Sequence, residues 1–262
     1  MHIAFTSMGN DSVALIAYLR DLRLPDVHVV YSNTGWAHTD WQSRVDECVN
    51  WVQQMGMTFH TTFSEGMEAL VTRKKGWPRN GLQFCTEHLK IIPAMKLLDA
   101  IDPDKQAICC TGKRRAESRE RAETSEYVHN SPAHDGRTVW NPLFMHDDVM
   151  RDALLKSAGF EPLAYKSREC YPCINSKRSQ LRELAKDEPR IAEIERIEQK
   201  LGSSPKTGKP KTMFRPYRHM GATGIREVIQ WAEAERGKYG SDQPDLFDDG
   251  TGQDCDSGWC GT

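Results

Sequence analysis

Through the first 160 residues, short apolar runs alternate with stretches whose apolar positions recur at helical spacing. His2–Phe5 is the first run, and Val13–Leu19 opens the first helix. Val27–Tyr31, rich in β-branched residues, is the second strand. Asp40–Met55 carries Trp41, Val45, Cys48, Val49 and Val52 at helical spacing; Thr58–Phe63 is a third strand and Glu65–Val71 a short helix. Arg73–Asn80 is a basic loop, and Thr86–Ile101 is helical with Pro93 as an irregularity. Ala107–Thr111 and Val139–Leu143 are further strands, and Asp147–Ala158 is a helix ended by Gly159. Such alternation predicts an α/β fold, a doubly wound and mostly parallel sheet built from βαβ units.

The pattern then changes. Phe160–Cys173 is irregular, Ser176–Leu201 is charged and helical with Pro189 starting a second helix, and Gly202–Lys211 reads as a mobile loop. Thr223–Arg236 is a last helix, and Tyr239–Thr262 has no periodicity. The expected organisation is an α/β domain over 1–175, a helical extension with a basic loop over 176–238 and a flexible acidic tail over 239–262.

The chain's 262 residues suit one large domain with an appendage. Its net charge of −2 gives no global argument for nucleic acid, but the distribution is uneven. Lys200–Arg226 holds seven basic and no acidic residues, whereas the stretch after Lys238 holds six aspartates and no Lys or Arg. No apolar run approaches the ~20 residues that cross a bilayer, and a strand at the very start leaves no room for a signal peptide. A cytoplasmic protein is expected. Its eight cysteines are then ligands, nucleophiles or buried apolar residues rather than disulfides; Cys48, Cys109 and Cys110 fall in helix or strand patterns and read as buried.

Between the first strand and helix lies Thr6-Ser-Met-Gly-Asn-Asp-Ser12. A strand that breaks at Gly9 into a helix leaves backbone N–H groups and the positive dipole end facing the turn. Ser7 and Ser12 add hydroxyl donors, and Gly9 permits close approach of a ligand. The turn is a phosphate cradle at the carboxyl end of a strand. Asn10-Asp11-Ser12 also caps a helix well, so the loop alone leaves both readings open. It is not a Walker A loop. Asn33-Thr34-Gly35, at the end of the second strand, is a polar turn beside this loop in a doubly wound sheet. Thr111-Gly112-Lys-Arg-Arg-Ala-Glu-Ser118, with Arg121 beyond, runs from a strand into a cluster of guanidinium forks suited to phosphate or sulfate. Glu117 can orient an arginine and Ser118 can donate to an oxyanion. A solvated helix face with i,i+4 pairs is the plainer alternative.

These three stretches, in this order, resemble the PP-loop ATP pyrophosphatase and phosphoadenosine-phosphosulfate (PAPS) reductase superfamily. Ser7, Gly9, Asp11 and Ser12 match its Ser-Gly-Gly-x-Asp-Ser loop. Met8 replaces the first glycine, and Asn10 stands where the ATP-pyrophosphatase branch usually has lysine. That change removes a charge-assisted contact worth ~1.5–3 kcal/mol. Asn33-Thr34-Gly35 followed by Asp40 resembles the element lining the adenosine site. Gly112, Arg114, Glu117, Ser118 and Arg121 match G-x-R-x-x-E-S-x-x-R at every fixed position. The resemblance spans roughly residues 1–175 and implies an adenine nucleotide alpha hydrolase-like fold binding ATP or a PAPS-type nucleotide. It implies phosphate contacts from Ser7, Gly9, Asn10 and Ser12, an adenosine side at Asn33, Thr34 and Gly35, and anion contacts from Gly112 and Arg121. Asp11, as a candidate Mg²⁺ contact, with Arg114 and Ser118, would carry the reaction.

Cys170-Tyr-Pro-Cys173 has a spacing shared by metal sites and redox pairs. Cys85-Thr-Glu-His-Leu-Lys-Ile-Ile-Pro93 resembles the C-C-x-x-R-K-x-x-P segment of adenosine-phosphosulfate reductases that carry an iron–sulfur cluster, with Phe84 in place of the first cysteine. An iron–sulfur cluster on Cys85, Cys170 and Cys173 is the first expectation, with Cys260 a possible fourth ligand. Zinc held by Cys170, Cys173, Cys255 and Cys260 is the alternative. PAPS reductases deliver a nucleophilic cysteine on a C-terminal arm; Cys255 and Cys260 occupy an analogous place. Their flanking aspartates raise a thiol pKa. Reach is no obstacle, since an extended chain from Tyr239 to Cys255 spans roughly 55 Å, against a radius of gyration of ~18 Å.

The leading expectation is an enzyme that adenylates with release of pyrophosphate in sulfur transfer, stabilising charge at the α-phosphorus. A phosphosulfate reductase using Cys260 or Cys255, with a thiol or sulfur-donor protein as partner, is the second. A nucleic-acid sulfur-modification component, held through the basic stretches Lys200–Arg218 and Arg73–Arg79, is the third, and a non-catalytic nucleotide-binding regulator the fourth.

Overall fold

A computed structural model describes residues 1–79, 81–214 and 224–234. The chain forms two compact units: one from residues 1–65 and 86–171, the other, among the described residues, from 66–85 and 172–234.

The first unit is a sheet whose strands are β1 (His2–Thr6), β2 (Val27–Asn33), β3 (Thr58–Phe63), β4 (Ile108–Cys110), β5 (Tyr127–Val128) and β6 (Thr138–Trp140). Their order is β3-β2-β1-β4-β6-β5. All neighbours are parallel except β5, which runs antiparallel to β6. The sheet therefore grows outward in both directions from β1, the doubly wound pattern expected from the alternation. Its switch point falls between β1 and β4, the place where such sheets bind ligands. The two-residue β5 has no periodicity to reveal it, and the sequence pattern misses it.

The central strands are covered on both sides, and their side chains alternate between two cores. Ala4, Val29, Tyr31, Cys110 and Trp140 face α1 (Asn10–Asp21), α2 (Trp41–Gln54) and, further along the chain, the helix Asp148–Ser157. Ile3, Phe5, Val30, Cys109 and Val139 face the helix Ile92–Ile101 through Ala94 and Leu98.

In chain order the remaining helices are α3 (Met67–Lys74), α4 (Phe84–Thr86), α5 (Ile92–Ile101), α6 (Arg119–Ala122), α7 (Asp148–Ser157), α8 (Arg178–Leu184), α9 (Glu188–Leu201) and α10 (Ile225–Glu233). The irregularity expected at Pro93 is a π-helical turn at Glu87–Ile91, immediately before α5, where Pro93 stands in the first turn. Proline lacks an N–H and crowds the carbonyl four residues back, which the wider turn relieves.

In the second unit α8, α9 and α10 pack on one another. Leu181 and Leu184, Ile191, Ile194 and Ile197, and Val228, Ile229 and Ala232 form their buried faces. Pro189 lies in the first turn of α9, where a missing N–H costs nothing. Residues 202–211 correct the expectation of a mobile loop: they fold back as a small hairpin. Ser203 bridges Pro210, Ser204 N–H donates to the Lys209 carbonyl at 2.8 Å, and Lys211 N–H to the Gly202 carbonyl at 3.0 Å. Thr223, Glu235 and Arg236, expected in the last helix, Asn80 of the basic loop, and the tail from Tyr239 onward lie outside the described residues, as do Cys255 and Cys260.

Candidate functional site

The loop after β1 is organised from within. Ser7 N–H donates to Ser12 Oγ at 2.9 Å, the two hydroxyls lie 3.2 Å apart, and Gly9 N–H donates to Ser7 Oγ at 3.4 Å. Gly9 is the N-cap of α1 and makes no side-chain cap. The helix thus begins at Asn10, three residues before the apolar spacing becomes visible. Met8, in the place of the superfamily's first glycine, has φ +62°, a left-handed conformation that costs a side-chain-bearing residue roughly 1–2 kcal/mol. Its side chain is fully buried among Val13, Leu15 and their neighbours, which offsets that cost.

Residues 163–171 run along this loop and hold it. Asn10 makes a two-way pair with Leu163, its Nδ2 donating to the carbonyl and its Oδ1 accepting from the N–H, both at 2.9 Å. Ser167 Oγ donates to the Ser7 carbonyl at 3.2 Å. A Cβ on Gly9 would lie 3.1 Å from Ser167 Cβ, so the missing side chain is what lets this segment approach. The Asn33-Thr34-Gly35 turn is held by the same segment. Thr34 Oγ1 donates to the Glu169 carbonyl at 2.8 Å and Tyr171 N–H to the Trp36 carbonyl at 2.7 Å. Within the turn, Asn33 Oδ1 accepts from Gly35 N–H at 2.9 Å. Glu169 itself forms a buried ion pair with Lys90 at 2.5 Å. Tyr31 lies close enough that burial first, then the Glu169 and Cys170 charges, raise its hydroxyl pKa.

The third element closes on the first from β4. A Cβ on Gly112 would stand 3.1 Å from the Asp11 carbonyl oxygen, so only glycine lets the β4 loop lie this close. Arg114 Nε then reaches Asp11 Oδ1 at 2.5 Å, with the two side chains only 3% and 2% exposed. Its remaining nitrogens go to Asp148 Oδ1 at 3.0 Å and the His146 carbonyl at 3.4 Å. Arg151 contacts Asp148 at 3.0 Å and approaches Asp11 at 4.0 Å. Burial pulls the Arg114 pKa down, but the Asp11, Glu117 and Asp148 carboxylates more than reverse it. Glu117 pairs with Arg121 and accepts from Arg114 N–H at 3.1 Å. Its burial pushes its pKa up against the pull of Arg121. Ser118 Oγ accepts from Arg121 N–H at 3.2 Å. Burial, with the nearby Arg121, lowers the Lys113 pKa.

The structure therefore gathers Ser7, Gly9, Asn10, Asp11, Ser12, Gly112 and Arg114 around the switch point. It also adds four residues that motif reading misses: Asp148, Arg151, Ser167 and Glu169. For Asp148 and Arg151 the one available signal was an acid and a base on the first turn of a helix expected at Asp147–Ala158. Nothing local in 163–171 marks Ser167 or Glu169, since the partners that fix them, Ser7, Thr34 and Lys90, lie 160, 135 and 79 residues away.

Among the described residues no group of three or more His, Cys, Asp or Glu side chains is placed to hold a metal ion. Cys85, Cys170 and Cys173 are partly buried and form no disulfide. Counted back from Lys90 and Pro93, Cys85 takes the first cysteine position of the cluster-type segment and Thr86 the second, so Phe84 precedes the pair rather than replacing a member of it. Cys48 and Cys109 are buried as expected, and burial pushes both thiols up to about 12. A cavity of about 400 Å³ lies among Asp40, Trp41, Arg44, Glu47, Tyr165 and Arg168; no phosphate-loop residue lines it.

A doubly wound α/β unit with a Ser/Gly/Asp/Ser loop at its switch point, faced by a glycine-led arginine segment, defines the class of protein: a mostly parallel α/β fold with a polar loop at the place where such sheets bind ligands. The family model of the phosphoadenosine phosphosulfate reductase domain matches residues 2–172, and the chain belongs to that family. A search of curated proteins gives no match. Among solved structures, the phosphate complex of phosphoadenylyl-sulfate (PAPS) reductase from Candida auris is similar at 14% identity and a TM-score of 0.47. That similarity covers 66% of this chain and 83% of that one. No helix among the described residues is long and apolar enough to cross a membrane.

Proposed function

We propose that the first unit binds an adenine nucleotide bearing a phosphosulfate group, and that the protein reduces it to sulfite and the corresponding adenosine phosphate. The observation that carries this reading is the closed Asp11–Arg114 pair. Adenylation by ATP needs a cation on the triphosphate, from Mg²⁺ or a loop lysine. Here the one loop carboxylate is 2% exposed and neutralised by Arg114, while Asn10 replaces the lysine and is engaged with Leu163. The loop then offers neutral donors: the Ser7 and Ser12 hydroxyls and the first N–H groups of α1. Neutral donors suit a phosphate and a sulfonate of one charge each better than a triphosphate. Arg114 acts in this reading as the brace between two loops, and Asn10 as a positioning residue.

In the reaction a thiolate attacks the sulfonate sulfur. A sulfur–sulfur bond forms, the bond from sulfur to the phosphate oxygen breaks, and the adenosine phosphate leaves with that electron pair. A second thiol, from a dithiol reductant, attacks the thiosulfonate and releases sulfite as the disulfide forms. Cys255 and Cys260 are the thiols in the position a C-terminal arm provides.

The test compares three nucleotides on the full chain. Sulfite release from PAPS or its unphosphorylated parent with a dithiol, lost at least 100-fold in the Cys255→Ser/Cys260→Ser double variant, is the expected result. Pyrophosphate release from ATP with Mg²⁺, and no sulfite from either phosphosulfate, would overturn the reading in favour of adenylation.

A further inference from the structure

We propose that the hairpin at 202–211 of the second unit is a docking element for the phosphate backbone of double-stranded nucleic acid. The charge arrangement of that unit sets it apart. Along α8 to α10 the basic side chains are matched: Arg196 and Lys200 to Glu68, Arg226 to Glu188 and Glu195, Arg190 to Glu193, and Lys186, after α8, to Glu183. Arg178 and Arg182 donate to the last carbonyls of α10. Lys206, Lys209 and Lys211 differ. They make no ion pair among the described residues, and no acidic residue occurs anywhere between Lys200 and Arg226.

The three lysines are also held in place rather than merely present. Gly208 N–H donates to the Ser204 carbonyl at 2.8 Å, closing the turn that carries Lys206 and Lys209, and the Ser204–Lys209 and Gly202–Lys211 bonds tie the two arms together. Gly208 takes φ +66°, a conformation the turn needs and glycine supplies at no steric cost. Thr212 Oγ1 bonds to the Phe214 carbonyl at 2.8 Å, and Met213 N–H is gripped by Glu198 at 2.8 Å, so the hairpin is rooted on α9. At the other end of that root, Glu68 of α3 takes both guanidinium nitrogens of Arg196, at 2.8 and 2.7 Å. Ordering the backbone that carries the three lysines removes part of the entropy that binding a polyanion otherwise costs.

The chemistry of the tip selects the partner. Ser203 to Pro210 contains no aromatic side chain on which an unpaired base could stack, so single strands gain little. It contains no large apolar residue to enter a lipid surface either. What remains is lysine point charges with serine and threonine hydroxyls, the set that contacts a duplex backbone without reading its sequence.

The experiment is a fluorescence-anisotropy titration of a labelled, arbitrary-sequence DNA duplex with the full chain, from 50 to 200 mM salt. It is repeated with Lys206→Gln/Lys209→Gln/Lys211→Gln. Three phosphate contacts weaken binding about 40-fold over that salt range, through a log–log slope of about −0.9 per contact. The triple variant is expected to lose this contribution, with a slope shallower by about 2–3, while its thermal unfolding and phosphosulfate reduction stay as in the parent. An unchanged slope in the variant overturns the proposal. So does absence of duplex binding, whether or not vesicles of anionic lipid or polyglutamate bind instead. Reductase activity does not enter these readouts, so failure here is separate from failure of the functional reading.

Discussion

Two arginine–carboxylate pairs in this molecule have nearly the same separation and opposite surroundings. Arg114 and Asp11 meet at 2.5 Å with side chains 3% and 2% exposed; Arg196 and Glu68 meet at 2.7 Å with 55% and 33% exposed. The first pair has left water, so each charge depends on the other. The second is solvated on most sides, and each partner keeps its hydration when the other is gone. Geometry alone does not rank the two contacts. Burial does, and it assigns the first pair to the interior that joins the β1 and β4 loops and the second to the surface of a helical unit.

The largest effect expected from this contrast comes from Arg114→Met. It strands the Asp11 carboxylate inside the protein and should cost about 3–5 kcal/mol in urea unfolding. Adding Asp11→Leu should recover most of the loss; a double variant no better than the single would show that the pair is not acting as a buried unit. Next is the buried His134, whose Nδ1 lies 3.0 Å from Ser131 Oγ. Burial, then the charges of Lys113 and Arg137, lower its pKa from 6.5 to about 4. The unfolded chain therefore takes up this proton first as pH falls. Stability should decline between about pH 6.5 and 4 by up to about 1.4 kcal/mol per pH unit. His134→Gln should flatten the profile in that window; an unaltered profile would assign the decline to other groups.

A smaller cost, about 1–3 kcal/mol, is expected for Gly112→Ala, because its Cβ presses on the Asp11 carbonyl at 3.1 Å. Nucleotide affinity, measured by calorimetry, should fall with it, since the β4 loop is moved off the phosphate loop. The smallest effect is Arg196→Ala, expected to leave the midpoint of unfolding at neutral pH within experimental scatter. Hydrogen bonds from Arg196 and Lys200 hold the Glu68 carboxyl down at about 2. The stabilisation it brings is present above its ordinary value of 4.5 and is lost as pH falls toward 2, so any small difference from the parent should lie above pH 4.5 and vanish at the acid end. A large loss at neutral pH would mean that exposure is a poor guide here.

The alternation of strands and helices, the doubly wound order and the three nucleotide motifs were legible because each is written in a local period or a short spacing. Ser7, Gly9, Asp11, Ser12, Gly112 and Arg114 could be named before their contacts were known. Their roles could not. Asn10 and Arg114 looked like groups for a ligand, yet both are engaged by distant backbone and side chains: Leu163 in one case, Asp11 and Asp148 in the other. The metal expectation for Cys85 and the Cys170–Cys173 pair came from resemblance to a ligand set in line, and spacing in a chain does not by itself place thiols around one ion. The hairpin at 202–211 was read as mobile from its Gly, Pro, Ser and Lys content, since composition does not show where backbone hydrogen bonds go.

Period and motif, then, determined by themselves that this chain is an α/β protein resembling the phosphosulfate reductase family, and singled out the turn after β1. Those features depend on neighbours in sequence, where hydrophobic repeat and glycine conformation act directly. Only the tertiary structure decided which charges are spent within the protein and which are left for a ligand. That choice depends on burial and on partners such as Asp11 and Arg114, brought together across 103 residues by the closure of β4 beside β1.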